Sequence, residues 1–535
     1  MPGSSSIVRC CVAAIVLLAP TLAFAQEMAL RNVVNAEIKK GWQQEKITPT
    51  GRSSDSVFLR RVYLDFVGMV PTYEETTAFL KDADPQKRTK LIDKLLADPR
   101  FAAQQAHVWD LVLFGRHPQN IDATRKRDGF KKWLNDQFTK NEPWDKITRK
   151  LLTAEEEGSE LFYVQYRGAP EEAATAVSRV FLGTQLQCAR CHDHPFENWT
   201  QKDFFGMAGF FVRLVVVDAG GGANNKKYKV GEKSSGDVLF AGSVKELKPG
   251  LKGEPVKPKF LGGDFLKEPA TPKDFKEPVV KGNVLPAKPS FSRKEKLVEW
   301  IAARENPYFA KALANRVWSQ LMGRGFVNPV DDLSEKNIPT HPELLKAIEK
   351  GLIEHQFDLK WALREIASSD AYQIGDSGPV TEATPKYYER ARVRPLTAEE
   401  LMASLGVSTG HGADWAQKSQ GATVEYMTRF FGEPNDGQGH FQGSLAEHLF
   451  LNNAGQIRQL GQTKKGNLAE AILTSKDSWD VKVHRLFLSI LSRTPSDTER
   501  ARFVKHLSGD AKSAPALVEE AIWVLVSCSE FRFNR

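Results

Sequence analysis

Helix-start signals recur on both sides of one interruption, and that layout confines this 535-residue chain to a mainly α fold in two parts. Before the interruption, Thr72 and Glu75 form a capping box, in which hydroxyl and carboxylate satisfy each other's backbone N–H groups. Asp84-Pro85 places a capping carboxylate before a proline at a first helical position. After it, Ser292 with Glu295, Thr340 with Glu343 and Thr397 with Glu400 repeat the box. In between, the run Leu214 to Val217 reads as a strand, followed by Gly220-Gly221-Gly222 and Asn224-Asn225. Short apolar pieces, Val238 to Phe240 and Lys259 to Leu261, then alternate with Gly, Pro and Lys. The expectation is a helical domain over 26–212, a small β-rich or irregular insert over 213–290, and a second helical domain over 291–535. Glycine-containing polar loops around 410 to 422 and 432 to 443 interrupt the second helical part, and no fixed-period repeat is evident.

Leu91, Ile92, Leu95 and Leu96 form one apolar helical stripe, while Trp109, Leu113, Trp133, Phe138 and Trp144 supply bulky core mass. A net charge of +8 is modest at this length, and its lysines concentrate between 226 and 296. No helix carries a basic stripe with interleaved aromatics, which argues against a nucleic acid partner. The lysine-rich stretch reads first as a solvated face, and second as a contact for acidic polysaccharide or a membrane surface.

Arg9, the short apolar run over 10–20 and Ala23-Phe24-Ala25 before Gln26 have the layout of a Sec-type signal peptide over 1–25, cleaved after Ala25. That places the mature chain in the periplasm or outside the cell. No Cys stands at a lipoprotein position, and no later segment reaches the roughly 18 apolar residues of a transmembrane helix. Loss of Cys10 and Cys11 with the signal leaves Cys188, Cys191 and Cys528, too few for a disulfide framework. Cys528, beside the apolar run 521–526, is expected as a buried core thiol.

Cys188-Ala-Arg-Cys191-His192 has the spacing of a covalent c-type haem attachment site. Two thiols add to the two vinyl groups of one porphyrin, and the adjacent imidazole reaches the iron as proximal ligand. Val177, Val180, Phe181, Thr184 and Cys188 recur at helical spacing, and Cys191 and His192 continue that face. This pattern points to haem c, and so to electron transfer or haem-based redox chemistry with a redox partner protein.

The same residues also read as part of a zinc site. His194 lies beside the thiols, so Cys188, Cys191 and His194 with a distant fourth ligand would stabilise a secreted binding protein for polysaccharide or an envelope partner. A local disulfide or a redox-active pair is a further alternative. For a haem, Met207 and His107 are the distal-ligand candidates, followed by His341, and His194 could hold a propionate.

The two helical parts resemble a pair of domains found together in planctomycetes and related bacteria, the cytochrome-like PSCyt type and its PSD-type companion. The matching stretches of the first are RRVYLDFVGMVPTYEET (60–76), LIDKLLADPRF (91–101) and LGTQLQCARCHDHPFENWTQKDFFGMAGFF (182–211). Those of the second are NPYFAKALANRVWSQLMGRGFVNPVDD (306–332), PTHPELLKAI (339–348), DLKWALREIASSDAYQ (358–373) and SCSEFRFNR (527–535). The resemblance implies a secreted two-part protein whose first part is named for its cytochrome-like motif, and it implies no particular reaction.

The second part also contains Arg316, Trp318, Arg324, Asp331, Asp332 and His341, read first as ion pairs that fix loops and second as an ion-binding set. The chain has no Gly-x-Ser-x-Gly, Walker loop, His-Glu-x-x-His or EF-hand pattern. Carboxylate-pair glycosidases carry no local signature, so the sequence leaves open whether the chain is an enzyme.

Overall fold

The computed structural model describes residues 28–116, 127–221, 226–240, 253–270, 272, 274–277, 282–377, 385–418, 421–431, 445–509 and 512–535. The expected signal peptide, Gly222, Asn224, Asn225 and the loop over 432–443 lie outside them. The fold is mainly helical with three small two-stranded antiparallel sheets among the described residues.

Helix Asp55–Val67 is the hinge of the packing. Ser54 caps its start and Gly68 ends it in the left-handed region, and every residue from Phe58 to Val67 is buried. Phe58, Leu59, Val62, Tyr63, Phe66 and Val67 enter a larger core that runs from Leu30 to Tyr388. Leu64 enters a smaller core built mostly from Leu396 to Phe531. Hydrophobic packing therefore divides between residues 388 and 396, inside the second helical part. The aromatic mass expected in the interior is there: Trp109, Leu113, Trp133, Phe138 and Trp144 are all buried, with the Trp109 and Trp144 rings 3.7 Å apart.

Burial of Arg60, Arg61 and Asp65 on the same helix requires partners, because a charge removed from water without one costs several kcal/mol (about 3–5 when one partner is lost). Arg60 donates to the carbonyls of Ile490 and Phe531, and Arg61 to those of Tyr372 and Ile374. Asp65 accepts from Arg392, from the Tyr372 hydroxyl at 2.8 Å and from Asn534 Nδ2 at 2.8 Å. Strand β5 (Arg394–Pro395) pairs with β6 (Phe533–Asn534) beside this hub.

The insert contains β1 (Leu214–Asp218) paired with β2 (Tyr228–Glu232), β3 (Val238–Leu239) paired with β4 (Pro255–Val256), and a bridge between Lys259 and Phe265. It is pinned by Arg293, wholly buried, whose guanidinium donates to Asp237 and Glu268 at 2.6 Å and to the carbonyls of Gly209 and Gly236.

The capping boxes at Thr72 and Thr397 form as expected. Three other starts differ. Ser292 Oγ accepts from the Glu295 N–H, but Glu295 pairs with Lys288 at 2.9 Å instead of closing the box. Helix Pro342–Glu354 starts after His341 with no side-chain cap, because Thr340 Oγ1 lies 3.1 Å from His341 Nδ1 and Glu343 pairs with Lys346. The helix expected at Pro85 begins at Lys87, and Asp84 accepts the Gln86 N–H at 2.7 Å in the preceding turn. Cys528 is half-buried at the edge of the smaller core rather than inside it.

Candidate cofactor site

The motif stands on the exit of helix Pro170–Leu182. That helix begins with Pro170 at its first turn and Glu171 and Glu172 beside it, where acidic groups complement the helix dipole. Gly183 stops it in the left-handed region at φ 60°. The helical face expected to continue through Thr184 to Cys188, Cys191 and His192 is therefore broken at Gly183. A 3-10 turn, Gln187–Arg190, carries Cys188 instead, with Cys191 and His192 directly after it.

In this turn Leu186 and Ala189 are fully buried and anchor the backbone, while Cys188, Cys191 and His192 are exposed. Both motif thiols are free. Helix Gln201–Ala208 packs directly on the turn and ties it down. Gln201 Nε2 donates to the Arg190 carbonyl at 2.9 Å and its backbone N–H to Asp193 Oδ1 at 2.8 Å. The His194 N–H donates to the Trp199 carbonyl at 2.8 Å. Arg190 pairs with Glu172 at 2.7 Å, linking the turn back to the preceding helix. Thr200 and Asp203 form a capping box absent from the sequence expectation, whose Ser/Thr-x-x-Asp form differs from the Glu version sought there. Burial favours a protonated Asp203, but hydrogen bonds from Lys259 and Thr200 override it and hold the carboxyl below its ordinary range.

The two motif histidines are in different states. His192 Nδ1 lies 2.7 Å from the Asp193 carbonyl oxygen. A carbonyl only accepts, so Nδ1 is the donor, and in the neutral ring Nε2 then keeps the lone pair, the arrangement common to metal-binding imidazoles. His194 is the reverse: its Nδ1 accepts from the Glu197 N–H at 3.0 Å and the Phe196 N–H at 3.3 Å, which puts its proton on Nε2.

The second helical part closes one side of this loop. The Leu333 N–H donates to the Gly183 carbonyl at 2.8 Å. Asp331, wholly buried, accepts from Arg179 at 3.2 Å and from Gln185 Nε2 at 3.0 Å. Burial pushes the Glu197 carboxyl up and Asp332 adds to that, while Trp199, His194 and Lys336 oppose it.

The structure thus brings Cys188, Cys191 and His192 onto one anchored turn. The distal-ligand candidates are differently placed. Met207 is on the helix that packs against the turn but is fully buried in the core. His107 sits on helix Pro99–Phe114 with Nε2 3.5 Å from Glu399, and burial lowers its pKa. His341 is enclosed by Phe326, Tyr387 and Tyr388. Among the described residues no three His, Cys, Asp or Glu side chains are gathered closely enough to hold a metal ion by themselves, and this includes Cys188, Cys191 and His194. No described helix is long and apolar enough to cross a membrane.

Residues 33–215 match the family model of PSCyt2, described as a protein of unknown function (DUF1549), and residues 293–429 that of PSD1, also described as a protein of unknown function (DUF1553). Neither a curated protein nor a solved structure matches the chain.

Proposed function

The chain joins a PSCyt2 region to a PSD1 region, and on that premise we propose that it is a c-type haem protein of the cell envelope that exchanges electrons with a partner protein. The observation that carries this reading is the contact of His192 Nδ1 with the Asp193 carbonyl oxygen, which can only accept and so leaves Nε2 as the ligating atom of the neutral ring, next in sequence to two free, exposed thiols. Cys188 and Cys191 would hold the macrocycle through thioethers, and His192 would take the proximal position. The group, once bound, supplies one-electron redox chemistry. The chain's own contribution is to hold the three donors on one turn, braced by Leu186, Ala189 and Gln201. Exposure of the turn suits a cofactor edge accessible to a partner. The signal-like segment over 1–25 supports an envelope location, where covalent haem attachment takes place.

His194 fits the zinc alternative less well, because its Nδ1 lone pair already accepts two backbone N–H groups. Expression alongside a c-type maturation system tests the proposal. A red product with one haem that survives acid extraction and remains on the denatured chain is expected. A colourless chain of unmodified mass, or one with stoichiometric zinc and no iron, would overturn it.

A further inference from the structure

Helix Ala514–Ser527 buries Val518, Ala521, Ile522, Leu525 and Val526 in the smaller core, a stripe at i, i+3, i+4, i+7 and i+8. Trp523 and Val524 fall outside that stripe, and Val524 is 46% exposed. Helix Asp497–Leu507, packed against it, supplies Phe503, steadied edge-on against Phe487 with ring centroids 5.1 Å apart. Phe503, Trp523 and Val524 wall a cavity of about 370 Å³. That volume is at the low end of small-molecule pockets, roughly 300–1,000 Å³, and suits one small ligand rather than a polymer or a large cofactor.

Charge at this cavity has a definite sign. Arg458, from the short helix Gly455–Gln459, and Arg502 both line it and both are exposed. Arg458 Cζ stands 5.4 Å over the Trp523 ring, a cation–π contact that holds the guanidinium at the apolar wall. Neither arginine side chain has a carboxylate partner among the described residues. Of the two lining carboxylates, Glu520 lies 3.3 Å from His506 Nε2, which leaves Glu519 alone against two guanidiniums. An apolar wall beside uncommitted guanidiniums complements a molecule with an apolar body and one anionic head. Both arginines and Trp523 lie beyond residue 429, outside the stretches matched by either family model.

We propose that this cavity binds a small apolar monocarboxylate of the medium-chain fatty acid class. Its chain lies against Phe503, Trp523 and Val524, and Arg458 and Arg502 take its carboxylate, which fits the planar fork of a guanidinium. The site uses none of the residues at the motif turn, so it stands apart from the haem reading.

Octanoate titrated into the full chain below its micellar range, followed by isothermal calorimetry, tests this. One saturable site is expected, with octanol and octylamine bound at least about ten-fold more weakly, since they keep the chain and lack the anion. The Arg458→Gln/Arg502→Gln double variant should bind octanoate about ten-fold more weakly. Both positions are exposed, so the variant folds as the wild type does. Val524→Asp, also at an exposed position, should abolish binding by setting a charge in the apolar wall. Octylamine bound as tightly as octanoate would overturn the proposal and make Glu519 the selecting charge. Undiminished octanoate binding in the double variant, or no saturable site in the wild type, would overturn it as well. So would a concentration-dependent dimer that Val524→Asp disperses and that takes up no octanoate, because a second copy of the chain would then cover the cavity.

Discussion

The backbone N–H of Leu333 donates to the carbonyl of Gly183 at 2.8 Å, and Leu333 Cδ1 lies 2.5 Å from the point where a Cβ on Gly183 would stand. Glycine is required here twice, by its left-handed backbone and by the contact that joins the motif loop to the second helical part.

Gly183→Ala is accordingly expected to destabilise the protein by about 2–4 kcal/mol, the sum of a positive-φ penalty and overpacking. Gly168→Ala is the control, because Gly168 has φ 73° with nothing within 4 Å of its built Cβ, so only the backbone penalty of about 1–2 kcal/mol applies. Denaturant midpoints of the two variants, compared at equal m values, check the difference. Equal losses would mean that the Leu333 contact yields without cost.

Thiol reactivity should follow exposure. Cys188 and Cys191 are exposed, whereas Cys528 is half-buried, donates its S–H to the Leu525 carbonyl and has its pKa raised by burial. Iodoacetamide on the native haem-free chain produced without residues 1–25 should give two adducts quickly and a third slowly, as followed by mass. In the haem-loaded chain only the slow adduct on Cys528 should remain.

Asp65 anchors three separate segments, so Asp65→Asn should cost about 3–5 kcal/mol by leaving the buried Arg392 guanidinium without its counter-charge. Chemical denaturation measures the loss. Limited proteolysis should show earlier cutting near residues 528–535, because Asn534 of β6 is held by the same hub and loosens with it.

Acid should weaken the fold through His341. Burial among aromatic rings pushes its pKa from 6.5 to about 4, with only the Glu37 carboxylate opposing the shift. The unfolded chain therefore binds a proton there before the folded one does. The resulting stability is fully present above about pH 6.5 and is lost as pH falls toward about 4, up to about 3 kcal/mol. Urea midpoints should fall through that window, and His341→Gln should flatten the decline. An unchanged slope in the variant would show that other groups carry it.

Much of the helical layout was legible because apolar periodicity and caps are local signals. Thr72 and Thr397 form their boxes, and Trp109 and Trp144 meet in the core. Failures arose where a competing local partner won the side chain: Thr340 turned to its neighbour His341, and Glu295 to Lys288. At the motif, residue types and spacing were enough to group Cys188, Cys191 and His192. Their helical phase was misjudged, because Gly183 in a left-handed conformation resets the register and spacing alone does not reveal it. The contact of His192 Nδ1 depends on where the Asp193 carbonyl points, and the bonds of Arg179 and Gln185 to Asp331 depend on how the two helical parts meet. Neither fact is written in one dimension.

Arg60 and Asp65 reach their partners Phe531 and Asn534 across 471 and 469 positions of chain. Closing so long a loop is entropically costly and slow, and it cannot occur while the later segment is still on the ribosome. Helix Asp55–Val67 is made well before Phe531 and Asn534, so these two contacts of its buried charges close late. Until that segment is in place, Arg60 and Asp65 lack these partners and the smaller core lacks Phe531. Loss of residues 531–534 would therefore be felt at a helix about 470 positions earlier.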